Sequence, residues 1–512
     1  MSAKTIAKGI VSVGTWSATK LIVAGLAVPI YARLLGIEAY GQYAYYVAVL
    51  LISSHPANCG MRQMLTKYIS ERPNDQAWHR RLAGFARSVS TISALVVGAI
   101  VLLVQLASAT MELRTVAAAT ILVALIWAEQ LHQHAGGILF GLHREAEASL
   151  PASLGVVLAG VAGVAFAAMG FGVLGVLSGM LVAGLFVAAV TLRRARHALA
   201  GGSEADGGAP LPRRELLQFG LSSMAYAGVA MLLYSIDVVL VRHFAGNEQT
   251  GLYAAAVQWS EFVWFVPIAI EGVMLQSTAK LWAEARVDEI TRLVRRLMRY
   301  VAVTTAYLLI VVFLFSHQIV TVYFGAHFCD AAVPLQLLIP GAFAFALARV
   351  IRPVIAAHGW VTTLLKVVSV ATGINVALNV VFVPRWGAVG AAVATSVSFV
   401  CVALVYVRIL RAEGVHPFQG FAAGRFGLLC VGTAAALLPI AEWIDDPFVA
   451  LTAGGAASLV VYWGGVFWLG LIRVRELEQI VVSLPGPLRA MGMRLMDRLQ
   501  PMLVRLDAIA LN

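Results

Sequence analysis

Residues 33–44 read Arg33-Leu-Leu-Gly36-Ile-Glu-Ala-Tyr40-Gly41-Gln-Tyr43-Ala44, a glycine-punctuated turn with an apolar run on each side. The runs, near 11–32 and 44–61, match the roughly 17–25 residues with which a helix crosses a hydrocarbon core. Similar runs recur near 88–107, 115–138, 149–169, 173–192, 216–241, 253–276, 301–323, 333–357, 361–383, 388–409, 424–441 and 448–472. The pattern predicts an all-α integral membrane protein of about fourteen transmembrane helices. The first run is too long for a signal-peptide core, and we read it as a retained span.

The same turn echoes further on. After the seventh run the chain reads Arg242-His-Phe-Ala-Gly246-Asn-Glu-Gln-Thr-Gly251-Leu-Tyr253-Ala254, so both turns end in Gly-x-Tyr-Ala, 210 residues apart. Gly172-Val-Leu-Gly175 before the sixth run is echoed by Gly387-Ala-Val-Gly390 before the twelfth, at an offset of 215. Two similar offsets predict duplication of a six-helix unit. The expected organisation is a six-helix lobe over 1–195, a cytoplasmic linker over 196–215, a second lobe over 216–410, helices 13 and 14 over 411–474, and a cytoplasmic tail over 475–512. An even number of helices per unit gives both lobes the same orientation, and substrate sites in transporters so built tend to lie between the halves. The tail carries Arg489, Arg494, Arg498 and Arg505 among Leu and Met from Leu488 to Leu506, which suits an amphipathic helix on an anionic leaflet.

Composition sets the same frame. Of 512 residues, 60% are hydrophobic and 12% charged, against about 45–50% and about 25% in ordinary soluble domains. Mean hydropathy is +0.84. These values exclude a cytosolic enzyme, a disordered chain, a nucleic-acid-binding domain and a secreted disulfide scaffold. The net charge of +11 is topological. With the N-terminus cytoplasmic, only Arg33, Arg114, Arg242 and Arg385 fall on outer turns and Lys20 inside the first span, while the other basic residues fall on the inner side. That bias places both termini in the cytoplasm. Cys59, Cys329, Cys401 and Cys430 form no CxxC pair, so neither a metal nor a disulfide framework is expected.

Enzyme motifs fail on context. Gly170-Phe-Gly172-Val-Leu-Gly175 matches a dinucleotide fingerprint, but it lies between two spans with no strand before it. Gly246 to Gly251 has P-loop glycine spacing and continues Leu-Tyr, where Lys-Ser/Thr is needed. Ser17-Ala-Thr-Lys20 and Ser277-Thr-Ala-Lys280 lack the partner motifs of an acyl-enzyme. His132 and His134 are two apart on a helix and point to nearly opposite sides. No catalytic residue, cofactor or nucleic-acid partner is expected.

Ionisable groups inside spans cost about 2.5–3.5 kcal/mol each on insertion scales, so they mark candidate sites. Ser12, Thr15, Trp16, Thr19 and Lys20 share a face of the first span. Ser222, Ser223, Tyr226, Tyr234 and Asp237 share one on the seventh. Glu261, Trp264, Ile268 and Glu271 form a stripe on the eighth, with Pro267 between the two acids. Glu129, His132 and Gln133 share a face of the fourth. Arg349 and Arg352 lie one turn apart on the tenth, and Lys366 lies near the inner end of the eleventh. For Arg349, Arg352 and Lys366 the competing reading is snorkelling to headgroups. For Thr372, Asn375 and Asn379 it is interhelical hydrogen bonding. Gly137-Ile-Leu-Phe-Gly141 reads as a close-packing surface.

Three stretches carry a resemblance: Arg33 to Tyr43; Gln218-Phe-Gly220 through Asp237 to Ala254; and Asn375 to Thr395 with Pro384-Arg-Trp-Gly387-Ala-Val-Gly390. Together they resemble the bacterial polysaccharide (oligosaccharide) flippases of the multidrug/oligosaccharidyl-lipid/polysaccharide exporter superfamily. The resemblance spans residues 1–475. It implies alternating access between two six-helix lobes in the bacterial inner membrane, moving an undecaprenyl-pyrophosphate-linked sugar repeat outward for exopolysaccharide, capsule or O-antigen. It also implies a polysaccharide polymerase and a chain-length regulator as partners. A diphosphate crossing a low-dielectric region needs fixed cations, for which Lys20, Arg349, Arg352 and Lys366 are the candidates. Glu129, Asp237 and Glu261 are candidates to bind a coupling proton or sodium ion. The alternatives are a cation-coupled multidrug exporter, a lipid II flippase and, further off, a membrane polysaccharide polymerase.

Overall fold

A computed structural model of the protein describes residues 3–107, 113–200, 210–472 and 493, with the side chains of 3–22, 24, 269, 272, 273 and 276 left undescribed. Among the described residues the regular elements are all helical. In order they are α1 (Ala3–Asn58), α2 (Met61–Ser70), α3 (Gln76–Ala107), α4 (Leu113–Gly141), α5 (Glu145–Phe166), α6 (Gly172–Leu199), α7 (Arg213–Phe262), α8 (Phe265–Ala283), α9 (Val287–Leu314), α10 (Ser316–Phe324), α11 (Ala332–Ala357), α12 (Val361–Ala412), α13 (Ala423–Trp443) and α14 (Pro447–Trp468). The predicted tail helix lies outside the described residues.

Among the described residues nine helical stretches are long and apolar enough to cross a membrane. Three of them, Glu145–Leu199, Arg213–Phe262 and Val361–Ala412, run 50 residues or more. At about 1.5 Å per residue they would exceed twice a ~30 Å hydrocarbon core if straight. They are not straight. Glycines with positive φ break each one: Gly170 and Gly172, Gly246, and Gly387. α1 breaks in the same way at Gly36. Contacts across the breaks show that the chain turns back. Tyr31 and Tyr43 bring their ring centroids within 5.7 Å, where a straight helix would separate the residues by ~18 Å. Tyr253 reaches Asp237, sixteen residues back, at 2.9 Å. Two crossings in each broken stretch, α1 included, and one in each of the others give the fourteen that the sequence predicts.

The echoes in the sequence are echoes of backbone. Gly36 has φ 74, ψ 174 and Gly246 has φ 84, ψ −176; Gly172 has φ 55, ψ −139 and Gly387 has φ 53, ψ −129. All four lie where L side chains are strained and glycine is not. The first pair also packs reciprocally. A Cβ on Gly41 would sit 1.9 Å from the Asn247 carbonyl oxygen, and one on Gly251 would sit 2.4 Å from the Ile37 carbonyl oxygen. Ile37 and Asn247, like Gly41 and Gly251, are 210 apart, so the contact has the form of a local two-fold.

Contacts divide the chain into two compact units, Met1–Ala254 with Asn379–Gly387, and Ala255–Leu378 with Ala388–Asn512. In the first unit α2 is a short amphipathic helix with Met61, Met64, Leu65, Tyr68 and Ile69 buried, at helical spacing on one face. That face packs against Leu82 of α3 and Ile138 and Leu139 of α4. Gly137 and Gly141 form the receiving surface, since a Cβ on them would meet the Arg62 backbone and the Ile69 side chain at 2.9 and 2.7 Å. Tyr68 donates to Glu215 Oε1 at 2.8 Å. Burial, reinforced by the Glu215 carboxylate, pushes the Tyr68 hydroxyl up to about 12, so it stays a donor at neutral pH. In the second unit Trp264, Phe345 and Phe399 form an aromatic cluster, with Trp264 donating to the Ala342 carbonyl at 3.1 Å. Large apolar side chains such as Ile92, Leu95, Leu103, Val431 and Val460 stand exposed, which suits a hydrocarbon solvent.

The eighth span is interrupted where one continuous crossing was predicted. The helix stops at Phe262 and restarts at Phe265. Pro267 is the third residue of α8, and a proline in a first helical turn removes an N–H that an upstream carbonyl would need.

Candidate functional site

The first unit holds a cavity of about 560 Å³ lined by Arg62, Glu129, His132, Gln133, Ser149 and apolar residues of α4, α5 and α6. Three of its polar groups come from α4, where Glu129, His132 and Gln133 share a face by helical spacing. The fourth arrives because α2 folds back on α4. The Asn58 Oδ1 accepts from the Arg62 backbone N–H at 3.0 Å, and the Asn58 amide donates to Gln130 Oε1 at 3.2 Å. This fixes the start of α2 and aims Arg62 Nη1 at Gln133 Oε1, 2.7 Å away. Gln133 in turn donates to Glu129. The Arg62 guanidinium also lies over the Phe140 ring, 5.3 Å from its centroid. Glutamine thus bridges an acid and a base. His132 lines this cavity and His134 a different one, as their spacing requires.

The second unit gathers a different group. Arg349 and Arg352, one turn apart on α11, both donate to Glu271 of α8, Arg349 at 3.3 Å. The Arg349 guanidinium lies 5.0 Å from the Trp264 ring centroid and 5.5 Å from that of Phe345. Arg349 and Glu271 keep only 14% of their side-chain surface. Because Glu271 accepts from both, removing either arginine leaves the carboxylate paired with the other.

Asp237 is buried and accepts from the Tyr253 hydroxyl and the Asn379 amide, each at 2.9 Å. Glu261 is half-buried on α7 and is separated from Glu271 by the break at Phe262–Trp264. Lys366 is exposed on α12 and has no ion pair among the described residues. Lys20 lies within α1, and its side chain is outside the described residues. The four cation candidates are therefore not one group: Arg349 and Arg352 converge and Lys366 does not join them.

Comparison with known proteins places this architecture. A model described as "polysaccharide biosynthesis protein" matches residues 6–263, half of the chain. The chain belongs to that family. An uncharacterized membrane protein of Methanocaldococcus jannaschii is 21% identical over 273 residues, 52% of this chain and 53% of that one. The chain thus spans about half the length of that relative. Among solved structures, the lipid II flippase MurJ in an inward closed conformation superposes with a TM-score of 0.66 at 13% identity, covering 90% of this chain and 99% of that one. An inward-facing multidrug resistance MATE family transporter of the MOP superfamily gives 0.61 at 16% identity, over 78% and 96%. The fold is that of these multi-pass membrane proteins.

The family match ends at residue 263, inside the break between α7 and α8. The cavity of Arg62 and Glu129 and the Asp237–Tyr253 pair therefore fall within the matched stretch, while Asn379 and the Glu271–Arg349 group lie beyond it. Sequence reasoning missed Arg62, which counts there only as an inner-side charge, and Tyr253, which counts only as part of a turn. The signal for Arg62 was available: Asn58-Cys-Gly60 followed by apolar residues at 61, 64, 65, 68 and 69 predicts a turn and a short helix folding back.

Proposed function

We propose that the protein is a flippase. It carries an undecaprenyl-pyrophosphate-linked oligosaccharide repeat across the bacterial inner membrane by alternating access, for surface polysaccharide synthesis. The observation that carries this reading is the polysaccharide biosynthesis family match on a chain with an exporter-superfamily fold. The side chains support it. Arg349 and Arg352 are held by one carboxylate, and arginine forks suit diphosphate oxygens. In this reading the diphosphate competes with Glu271 for the two guanidiniums, and Lys366 and Lys20 supply further cations along its path. Glu129 takes the coupling proton or sodium ion, with Glu261 and Asp237 as the remaining acids. Both termini are cytoplasmic, and a polymerase and chain-length regulator receive the cargo.

Deleting the gene should abolish one surface polysaccharide while lipid-linked repeats accumulate on the inner leaflet. Arg349→Gln and Lys20→Ala should each reproduce that accumulation with normal amounts of protein in the membrane. Intact polysaccharide together with raised drug sensitivity overturns the reading in favour of a cation-coupled multidrug exporter. A second reading, lipid II as cargo, is favoured by the likeness to MurJ. It predicts accumulation of peptidoglycan precursor and lysis instead.

A further inference from the structure

Away from the groups above, α9 carries Arg292, Arg295, Arg296 and Arg299 at positions i, i+3, i+4 and i+7. All four line one cavity of about 270 Å³ against the loop joining α12 to α13, which contributes Gly420 and Phe421. Over two helical turns the column extends about 10 Å. Glu289 is drawn to Arg286 and stands 3.6 Å from Arg292, while among the described residues neither Arg295 nor Arg296 has an ion-pair partner. Like charges at these spacings repel by a few tenths of a kcal/mol per pair. The loop is shaped around them: Gly420 has φ 72, and a Cβ there would fall 2.7 Å from Arg295 Nη2. The column also has a defined depth. Immediately after it α9 becomes an apolar crossing segment, with Val301, Ala302, Val303, Ala306 and Leu309 buried. Beside it lies an aromatic floor, Phe421 against Phe426 at 5.3 Å and Phe426 stacked on Phe343 at 6.3 Å.

We propose that this cavity binds the phosphate of an anionic membrane-lipid headgroup, with Arg295 and Arg296 as its principal ligands. Guanidinium forks satisfy the phosphate oxygens, and the adjoining apolar surface accommodates the start of the acyl chains. That apolar surface is what selects a lipid over free phosphate. The site is separate from the Glu271 group, and its lipid is not the cargo.

The full chain, purified in detergent, is titrated with phosphatidylglycerol or phosphatidylcholine of the same chains and read by native mass spectrometry. Phosphatidylglycerol should be retained at least about tenfold more tightly. The double variant Arg295→Gln/Arg296→Gln should lose about that tenfold with phosphatidylcholine unchanged. Arg295→Lys/Arg296→Lys, which keeps the charges, should recover most of the loss and controls for misfolding of the glutamine variant. Equal retention by wild type and the glutamine variant overturns the proposal and leaves a solvated basic face. Displacement of phosphatidylglycerol by equimolar inorganic phosphate overturns it in favour of a soluble anion. Selective loss of undecaprenyl pyrophosphate, with phosphatidylglycerol retained, overturns it by assigning these arginines to the cargo.

Discussion

In the turn at 33–44 the chain leaves its helix at Gly36 and Tyr43 comes back against the ring of Tyr31. In the turn at 242–254 it leaves at Gly246 and Tyr253 comes back against the carboxylate of Asp237. The glycine dihedrals agree within about ten degrees, and the two turns press on each other through Gly41 and Gly251. What differs is the side chain each tyrosine meets. The residue 210 before Asp237 is Ala27, buried and apolar. The first turn shows that the reversal needs no acid, so Asp237 is an addition to a shared backbone. It ties Tyr253 to Asn379, both within the first unit. In the absence of a competing solvent, interhelical hydrogen bonds of this kind hold membrane helices in register.

The strongest way to break the comparison is at its shared element. Gly41→Val or Gly251→Val places atoms within 1.9 or 2.4 Å of a backbone oxygen that cannot swing away. Each should cost about 3 kcal/mol or more, the upper end for overpacking, and lower the thermal unfolding midpoint in a fixed detergent by a similar amount in both cases. If one turn tolerates valine and the other does not, the reciprocal contact is not the common support. Next comes the element that differs. Asp237→Ala leaves the Tyr253 hydroxyl and the Asn379 amide without their shared acceptor, at about 2–3 kcal/mol. Asp237→Asn keeps an acceptor and should lose about 1 kcal/mol or less while transport persists. Loss of transport with unchanged stability in Asp237→Asn would instead make this acid an ion-coupling group.

How much of this is legible in sequence depends on the range of the interaction. The crossings and the glycine turns are local: an apolar run of about twenty residues and a Gly-x-Tyr-Ala punctuation carry them. The interruption at Phe262–Trp264 is half-legible, because Pro267 announces a kink without saying that the helix ends a full turn earlier. The pairings are tertiary. Nothing along the chain says that Glu271 meets Arg349 and Arg352 while Lys366 stands exposed. Nor does it say that Arg62, one of many inner-side charges, is turned back onto Gln133. Asn379 reads equally well as a packing residue until Asp237 is beside it.

The finest test compares the two tyrosines directly. Tyr253→Phe removes a donor to Asp237 and leaves Asn379 in place, so the expected loss is about 1 kcal/mol. Tyr31→Phe removes a hydroxyl that donates to the Ala159 and Gly160 carbonyls at 3.0 and 3.2 Å. Those carbonyls lie within α5, where helix bonds already engage such oxygens, and the Tyr31–Tyr43 ring contact survives. The loss should therefore be about 0.5 kcal/mol or less. Thermal unfolding of the two variants and their double should give Tyr253→Phe the larger shift and near-additive effects, since the Asp237 carboxylate and the α5 carbonyls are different acceptors. Equal shifts would mean that the buried carboxylate adds nothing to its turn beyond what a carbonyl adds. The difference between the two turns would then lie in packing alone.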